Sequence, residues 1–200
     1  MPRAPAARTN DPAGLRRRVL DAADRLFQTV GYRGTSVHDV VREAGVTGGA
    51  LHHHFPSKKD LALAVIAERV SAEVASTWIE TVRKAPTAAE GILQAFDETV
   101  AHLERRGAVT GCPLGNLALE LSLADEDVRA ALAAEYAAWR GAIAERLAAD
   151  AAPFAQPSPE AFADVVVALF SGAMSIAKAE QSPAALAACA DHVRRLIAAG

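Results

Sequence analysis

The sequence is short of the features that build sheets, disulfide scaffolds and membrane anchors. It has two cysteines in 200 residues, Cys112 and Cys189, which is no disulfide framework and suits a reducing compartment. Aromatic residues make up 5% and threonine is sparse, so the default expectation shifts away from strand. The first residues, "MPRAPAARTNDPAG", lack the apolar run of a signal peptide. The longest apolar stretch, "AFADVVVALFSGAMSIA", is interrupted by Asp164 and is expected to fall short of a membrane span. Charged residues are 22% against 51% apolar, a globular rather than a disordered balance. What the chain has in plenty is alanine and leucine, so helix dominates the expectation. A soluble, cytoplasmic, all-α protein follows, long enough for one substantial core or two small ones.

The net charge of -3 is unevenly spread. Residues 1–60 carry ten Lys/Arg against six Asp/Glu, and residues 61–200 carry eleven against eighteen. A basic first quarter on an acidic remainder points a polyanion at the N-terminal part alone.

Residues 1–12 hold three prolines and no periodicity, and read as a disordered arm. From Leu15 the pattern is helical: Val19, Ala22, Ala23, Leu26, Phe27 and Val30 recur at the 3.6-residue period, and Gly31 ends the run. Ser36 with Asp39 forms a capping-box pair before a short helix whose inner stripe is Val37, Val40, Val41 and Ala44. Gly45 breaks it. Thr47 caps a third segment with Ala50, Leu51 and Phe55 as its apolar positions, and Pro56 stops it. Ser57 with Asp60 then caps a long fourth helix reaching about Arg83. Two short helices joined by a tight glycine turn and braced by a longer one make a helix-turn-helix unit. Further helices open at Pro86-Thr87, at Gly111-Cys112-Pro113, before Val128, at Ser158-Pro159 and at Ser182-Pro183, the last two by a capping serine before a proline at the first helical position. "PFAQPSP" reads as a loop. The count is about nine helices, with no strand and no internal repeat.

His52, His53 and His54 are consecutive in "VTGGALHHHFPSKKDL". On a helix, neighbours point about 100° apart, so the three cannot close on one metal ion, and no nucleophile beside them is paired with a base. A fan of imidazoles at the start of a recognition helix does suit a DNA groove, where they can donate to phosphates or base edges. Lys58 adds a cation at a helix N-terminus, a good phosphate position. The plainer alternative for His54 is packing beside Phe55.

The stretch "TSVHDVVREAGVTGGALHHHFPSKKDL", Thr35 to Leu61, closely resembles the DNA-binding signature of the TetR family of transcriptional repressors. The resemblance implies a homodimer in which residues 13–60 bind double-stranded operator DNA and residues 61–200 bind a small-molecule inducer and dimerise through the last two helices, with no cofactor. It implies phosphate contacts at Thr35 and Lys58, operator contacts at Thr47, Gly48, Gly49, His52 and His53, and an adjoining contact at His54. Two positions depart from the family pattern. Gly48 stands where a basic side chain is frequent, and His52 replaces a common tyrosine, which makes that contact more sensitive to pH.

The segment "GCPLGNLALELS" is similar to one in a TetR subgroup that responds to drug-like or reactive small molecules. Pro113 at the first helical position puts Cys112 at a helix N-terminus, where free amides and the helix dipole are expected to lower its thiol pKa. Cys112, Asn116 and Glu120 are spaced to lie along one helix face and are candidate polar anchors of an inducer pocket. Trp78, Phe96, Trp139, Phe170 and Met174 are its candidate apolar lining, and each is also a candidate for plain core. Two functions stay open: a repressor released by an apolar or drug-like inducer, and a regulator whose Cys112 senses electrophiles covalently. An enzyme using Cys112 with His102 or Glu120 lacks any nucleophile motif, and an architectural DNA binder has no need of a ligand-sized second domain. "VVVALFSGAMSIAKA", with Ala168, Ser171, Gly172 and Ser175, and a final-helix stripe of Leu186, Cys189, Ala190, Val193 and Ile197, are the candidate dimer surfaces, the alternative being burial of both inside one chain.

Overall fold

A computed structural model describes residues 11–150 and 158–199. Among them there are nine helices and no strand. They are α1 (Pro12–Thr29), α2 (Val37–Ala44), α3 (Gly48–His54), α4 (58–84), α5 (Ala88–Arg106), α6 (Pro113–Leu121), α7 (Glu126–Ala149), α8 (Pro159–Glu180) and α9 (Ala184–Ala199). The arm expected over residues 1–12 lies outside the described residues, except that Asp11 and Pro12 belong to α1. The Asp11 carboxylate accepts from the Gly14 amide at 2.8 Å, and Pro12 takes the first turn, where a missing N–H costs nothing. Most of the expected "PFAQPSP" loop also lies outside.

The caps read from the sequence are present. Ser36 and Asp39 exchange backbone bonds at 3.1 and 3.0 Å, a capping box. Thr47, Ser57 and Thr87 each accept the amide three residues on. Gly45 closes α2 at φ 64°, a left-handed conformation that glycine enters freely.

Helix α4 is continuous through residue 60, so the division expected there falls inside a helix shared by both halves. It carries two π-helical stretches, Ile66–Val70 and Ala75–Ile79, each admitting an extra residue per turn. The first presents Glu68 to Arg16 and Arg69 to Asp21, the latter at 2.8 Å, which ties α4 to α1. Its second stretch brings Trp78 into the far half of the molecule.

One contiguous core runs through both halves, from Leu20, Phe27, Leu51 and Leu61 to Trp78, Phe96, Trp139 and Phe162. Two sequence expectations change here. Leu186, Ala190 and Val193 of α9 are fully buried against this core, so that stripe is internal. The face α9 leaves open passes through Ala188, His192 and Leu196. Helix α8, with 22 residues and a mean hydropathy of 1.6, is in fact long and apolar enough to cross a membrane by length and composition. Here it packs as a core helix, with Phe162, Val166, Phe170 and Ala177 buried among its neighbours. Asp164 sits on its exposed side and pairs with Arg140 at 3.0 Å, so it does not interrupt the buried stripe.

Candidate DNA interface and ligand cavity

Helix α3 is fixed from behind and open in front. Leu51 and Phe55 are buried in the core, and the Thr47 hydroxyl holds the first turn. The opposite side presents Thr47, Gly48, Gly49, His52 and His53 to solvent. A Cβ added at Gly48 or Gly49 would meet nothing within 4 Å, so no packing inside the chain requires glycine at either position. His54 is half-buried, its ring 6.3 Å from Phe55 and 5.4 Å from His53, and it shares both the packing and the exposed edge.

The two expected phosphate contacts stand differently. Thr35 is buried: its hydroxyl donates to the Gly31 carbonyl at 2.8 Å and its amide to the Tyr32 carbonyl at 3.2 Å. Both donors are used in closing the turn between α1 and α2, so the threonine is a structural part of that turn. Lys58 reaches the same turn. Its ammonium donates to the Tyr32 carbonyl at 2.5 Å and lies 4.0 Å from the Tyr32 ring centroid, and burial there pulls its pKa below the ordinary lysine value. A phosphate must compete with Tyr32 for this ammonium. Lys59 is held by Asp125 and Asp127 at 2.8 and 2.6 Å.

At the other end of α4 lies a cavity of about 740 Å³. Trp78, Trp139, Phe170, Met174 and Cys112 line it, as expected from the sequence. Phe96 is one layer behind, edge-on to Trp78 at 5.5 Å and to Phe170 at 5.5 Å. The indole N–H groups of Trp78 and Trp139 are buried without an acceptor, and an unmade hydrogen bond of that kind costs about 1–3 kcal/mol. Sequence reasoning missed the charged part of the wall: Glu73, Glu98, His102, Arg105 and Arg106. The only sequence signal for them is their position on the helices that carry Trp78 and Phe96. Burial holds the Glu73 carboxyl above its usual range, with the nearby Asp24 charge adding to the rise and Arg106 opposing it.

Asn116 and Glu120 are absent from this lining, although they lie at helical spacing from Cys112. Four residues advance a helix by about 400°, so each step turns 40° further, and eight residues carry the face from the cavity onto α1. The Asn116 amide donates to Gln28 and to the Thr110 carbonyl, each at 2.8 Å. The Glu120 carboxylate accepts the successive amides of Tyr32 and Arg33 at 3.0 and 2.9 Å. Gly31 makes room for it: at φ 90°, a Cβ there would come within 2.8 Å of a Glu120 oxygen. Helix α6 therefore has its first turn in the cavity wall and its last turn on the α1–α2 turn.

The Cys112 thiol departs from expectation. Burial pushes its pKa up to about 11 and outweighs the lowering by the Gly115 and Leu114 amides. A helix N-terminus activates a thiol only where the thiolate is also solvated.

Residues 19–65 match the family described as bacterial regulatory proteins, tetR family, and residues 88–192 match the LmrA/YxaF-like transcriptional regulator C-terminal domain. The chain is 35% identical over 133 residues to the HTH-type transcriptional regulator LmrA of Bacillus subtilis, covering 66% of this chain and 70% of that one. It is 24% identical to the uncharacterized regulator YxaF of the same organism over 91% of this chain and 94% of that one. Among solved structures, reduced Escherichia coli NemR superposes with a TM-score of 0.82 at 23% identity, over 90% of this chain and 95% of that one.

Proposed function

The chain belongs to the TetR family of bacterial transcriptional regulators, which are regulators and not enzymes, and we propose that it is a dimeric repressor released from a palindromic operator by a small molecule. Residues 13–60 read the DNA, residues 61–200 bind the inducer and the second subunit, and α4 belongs to both. A regulator acting on bacterial DNA works in the cytoplasm, with neither membrane nor cofactor in this scheme.

The observation that supports the reading best is α3, packed on one side by Leu51 and Phe55 and bare of intramolecular contacts at Gly48 and Gly49 on the other. Open glycines let the helix backbone approach a groove wall, and His52 and His53 supply donors beside it. The large aromatic cavity at the far end of α4 supports the inducer site. Some 20 residues separate Lys58 from Trp78, about 30 Å of helix at 1.5 Å per residue. An inducer that favours a tilted α4 therefore moves the recognition helices out of register with the DNA. The contacts of α6 with Gln28, Tyr32 and Arg33 supply a second path from the cavity to the same domain. The alternative of a covalent electrophile sensor gains no support, because the Cys112 thiol is buried and hard to ionise.

Selection of bound DNA from a random pool tests the proposal. A twofold dimer with one recognition helix per subunit selects a palindrome whose half-site centres lie about 34–36 Å apart, or somewhat more. Recovery of an asymmetric site occupied by a single chain would refute it.

A further inference from the structure

The charged lining of the cavity includes two guanidinium groups at its exposed edge. Elsewhere in the described chain, arginines that face the helices are generally paired, as Arg16 with Glu68, Arg69 with Asp21, Arg140 with Asp164 and Arg194 with Asp97. Arg105 and Arg106, in the last turn of α5, line the cavity with no carboxylate within ion-pair distance among the described residues. The acidic groups present offer less. One oxygen of Glu98 accepts from the Gln94 amide at 2.8 Å, and the Glu73 carboxylate is disfavoured in its charged form by its surroundings.

We propose that the inducer is an amphipathic organic anion: a flat aromatic body lying among Trp78, Trp139 and Phe170, with a carboxylate or similar head at Arg105 and Arg106. This rests on the reading of the cavity as the inducer site and adds the chemistry of its occupant. The geometry separates the two kinds of recognition. The aromatic rings are packed edge to face around the inner wall, with Trp78 and Phe170 4.9 Å apart, which provides apolar faces and ring edges for an aromatic body. The arginines are exposed and set on a different helix. A planar guanidinium meets a carboxylate through two parallel N–H bonds, and an uncharged or cationic head leaves those donors unused.

The full-length protein, titrated calorimetrically with 2-naphthoate and 2-naphthylmethylammonium, tests this without knowledge of the natural inducer. The naphthoate is expected to bind at least tenfold more tightly than the ammonium, with the difference shrinking as salt rises. R105A/R106A is expected to lose tenfold or more for naphthoate, while Arg195→Ala, an arginine outside the cavity, loses nothing. Thermal melts of each variant separate binding from folding. Cations are favoured at a helix C-terminus for stability alone, so a variant R105A/R106A that melts earlier yet binds naphthoate unchanged overturns the proposal. Equal or tighter binding of the ammonium, strengthened in R105A/R106A, also overturns it, makes Glu73 the anchor of a cation site, and leaves the cavity as the inducer site. Failure of every naphthalene to bind overturns both this proposal and the cavity reading.

Discussion

Cys112, Lys58 and Glu120 show how far a side chain's surroundings outweigh its position in a motif. Ionising Cys112 is harder in the folded chain than in the unfolded one: its thiol moves from an ordinary 9.0 to about 11. The folded state then holds the extra proton between those values, and linkage makes the thiol's contribution to stability fall as pH rises from about 9 to 11. Below about pH 9 the contribution is intact. Cys112→Ala is expected to flatten the alkaline decline of the melting temperature across that window, measured against wild type. In the native protein, iodoacetamide at pH 8 is expected to label the half-exposed Cys189 first and Cys112 only on unfolding, as read by mass spectrometry. Rapid native labelling of Cys112 would reverse the assignment. His53 is the reverse case, an exposed group whose ring neighbour is His54 at 5.4 Å. His53→Ala is expected to cost about 1–3 kcal/mol at particular operator positions and to relax preference there, with little loss on random DNA. Equal loss on both DNAs, in a gel-shift comparison, would reduce His53 to a phosphate contact.

At the scale of elements, helices were legible wherever a cap and an apolar period coincided. Ser36, Thr47, Ser57, Thr87, Ser158 and the prolines after Cys112 and Ser158 mark starts that the structure shares, whereas the Asp11 cap and Pro12 were read as part of an arm. The π stretches of α4 were not legible, because their widening answers to what α1 and the cavity require and not to a local period. The direction of α6 was missed for a related reason: spacing gives a face but not its neighbour. Its last turn is where the next prediction belongs. Glu120→Ala removes both acceptors of the Tyr32 and Arg33 amides, at an expected cost of about 1–3 kcal/mol. Hydrogen exchange of those two amides is expected to rise, while that of α8 amides stays near the wild-type rate. Unchanged exchange at Tyr32 and Arg33 would show that the turn holds without α6.

For the whole molecule, the exposed faces of α8 and α9 carry the surface that suits the proposed second subunit. Val165 and Ile176 on α8 and Leu196 on α9 stay exposed at 40, 50 and 37%, and Ala168, Gly172 and Ser175 lie between the first two. Small residues among large ones permit close helix approach in a twofold contact. Gly172→Arg places a charge there, with nothing inside the chain within 4 Å of the new Cβ, so folding is expected to survive. Sedimentation is expected to show a monomer, and operator affinity to fall by a hundredfold or more as the second half-site is lost. A dimer that persists in Gly172→Arg would move the interface elsewhere.

The sequence by itself determined the helices, their caps and the helix-turn-helix, since each depends on residues within a few positions of one another. It also determined the family, through a motif whose spacing is local. It named the large aromatics of the cavity wall, Trp78, Trp139 and Phe170, because large aromatics on helical stripes have few other places to go. Only the tertiary structure decided which polar groups face one another. Thr35, Lys58 and Glu120 lie far apart in the chain and on different elements, yet all three hold one turn around Gly31 and Tyr32. The same holds for charge: Arg105 and Arg106 look like any solvated helix end in the sequence, and packing α4, α5 and α6 together puts them at a cavity beside two unsatisfied indoles. Helix propensity and capping act over a turn or two of chain, whereas desolvation and ion pairing depend on whatever the fold brings within a few ångströms.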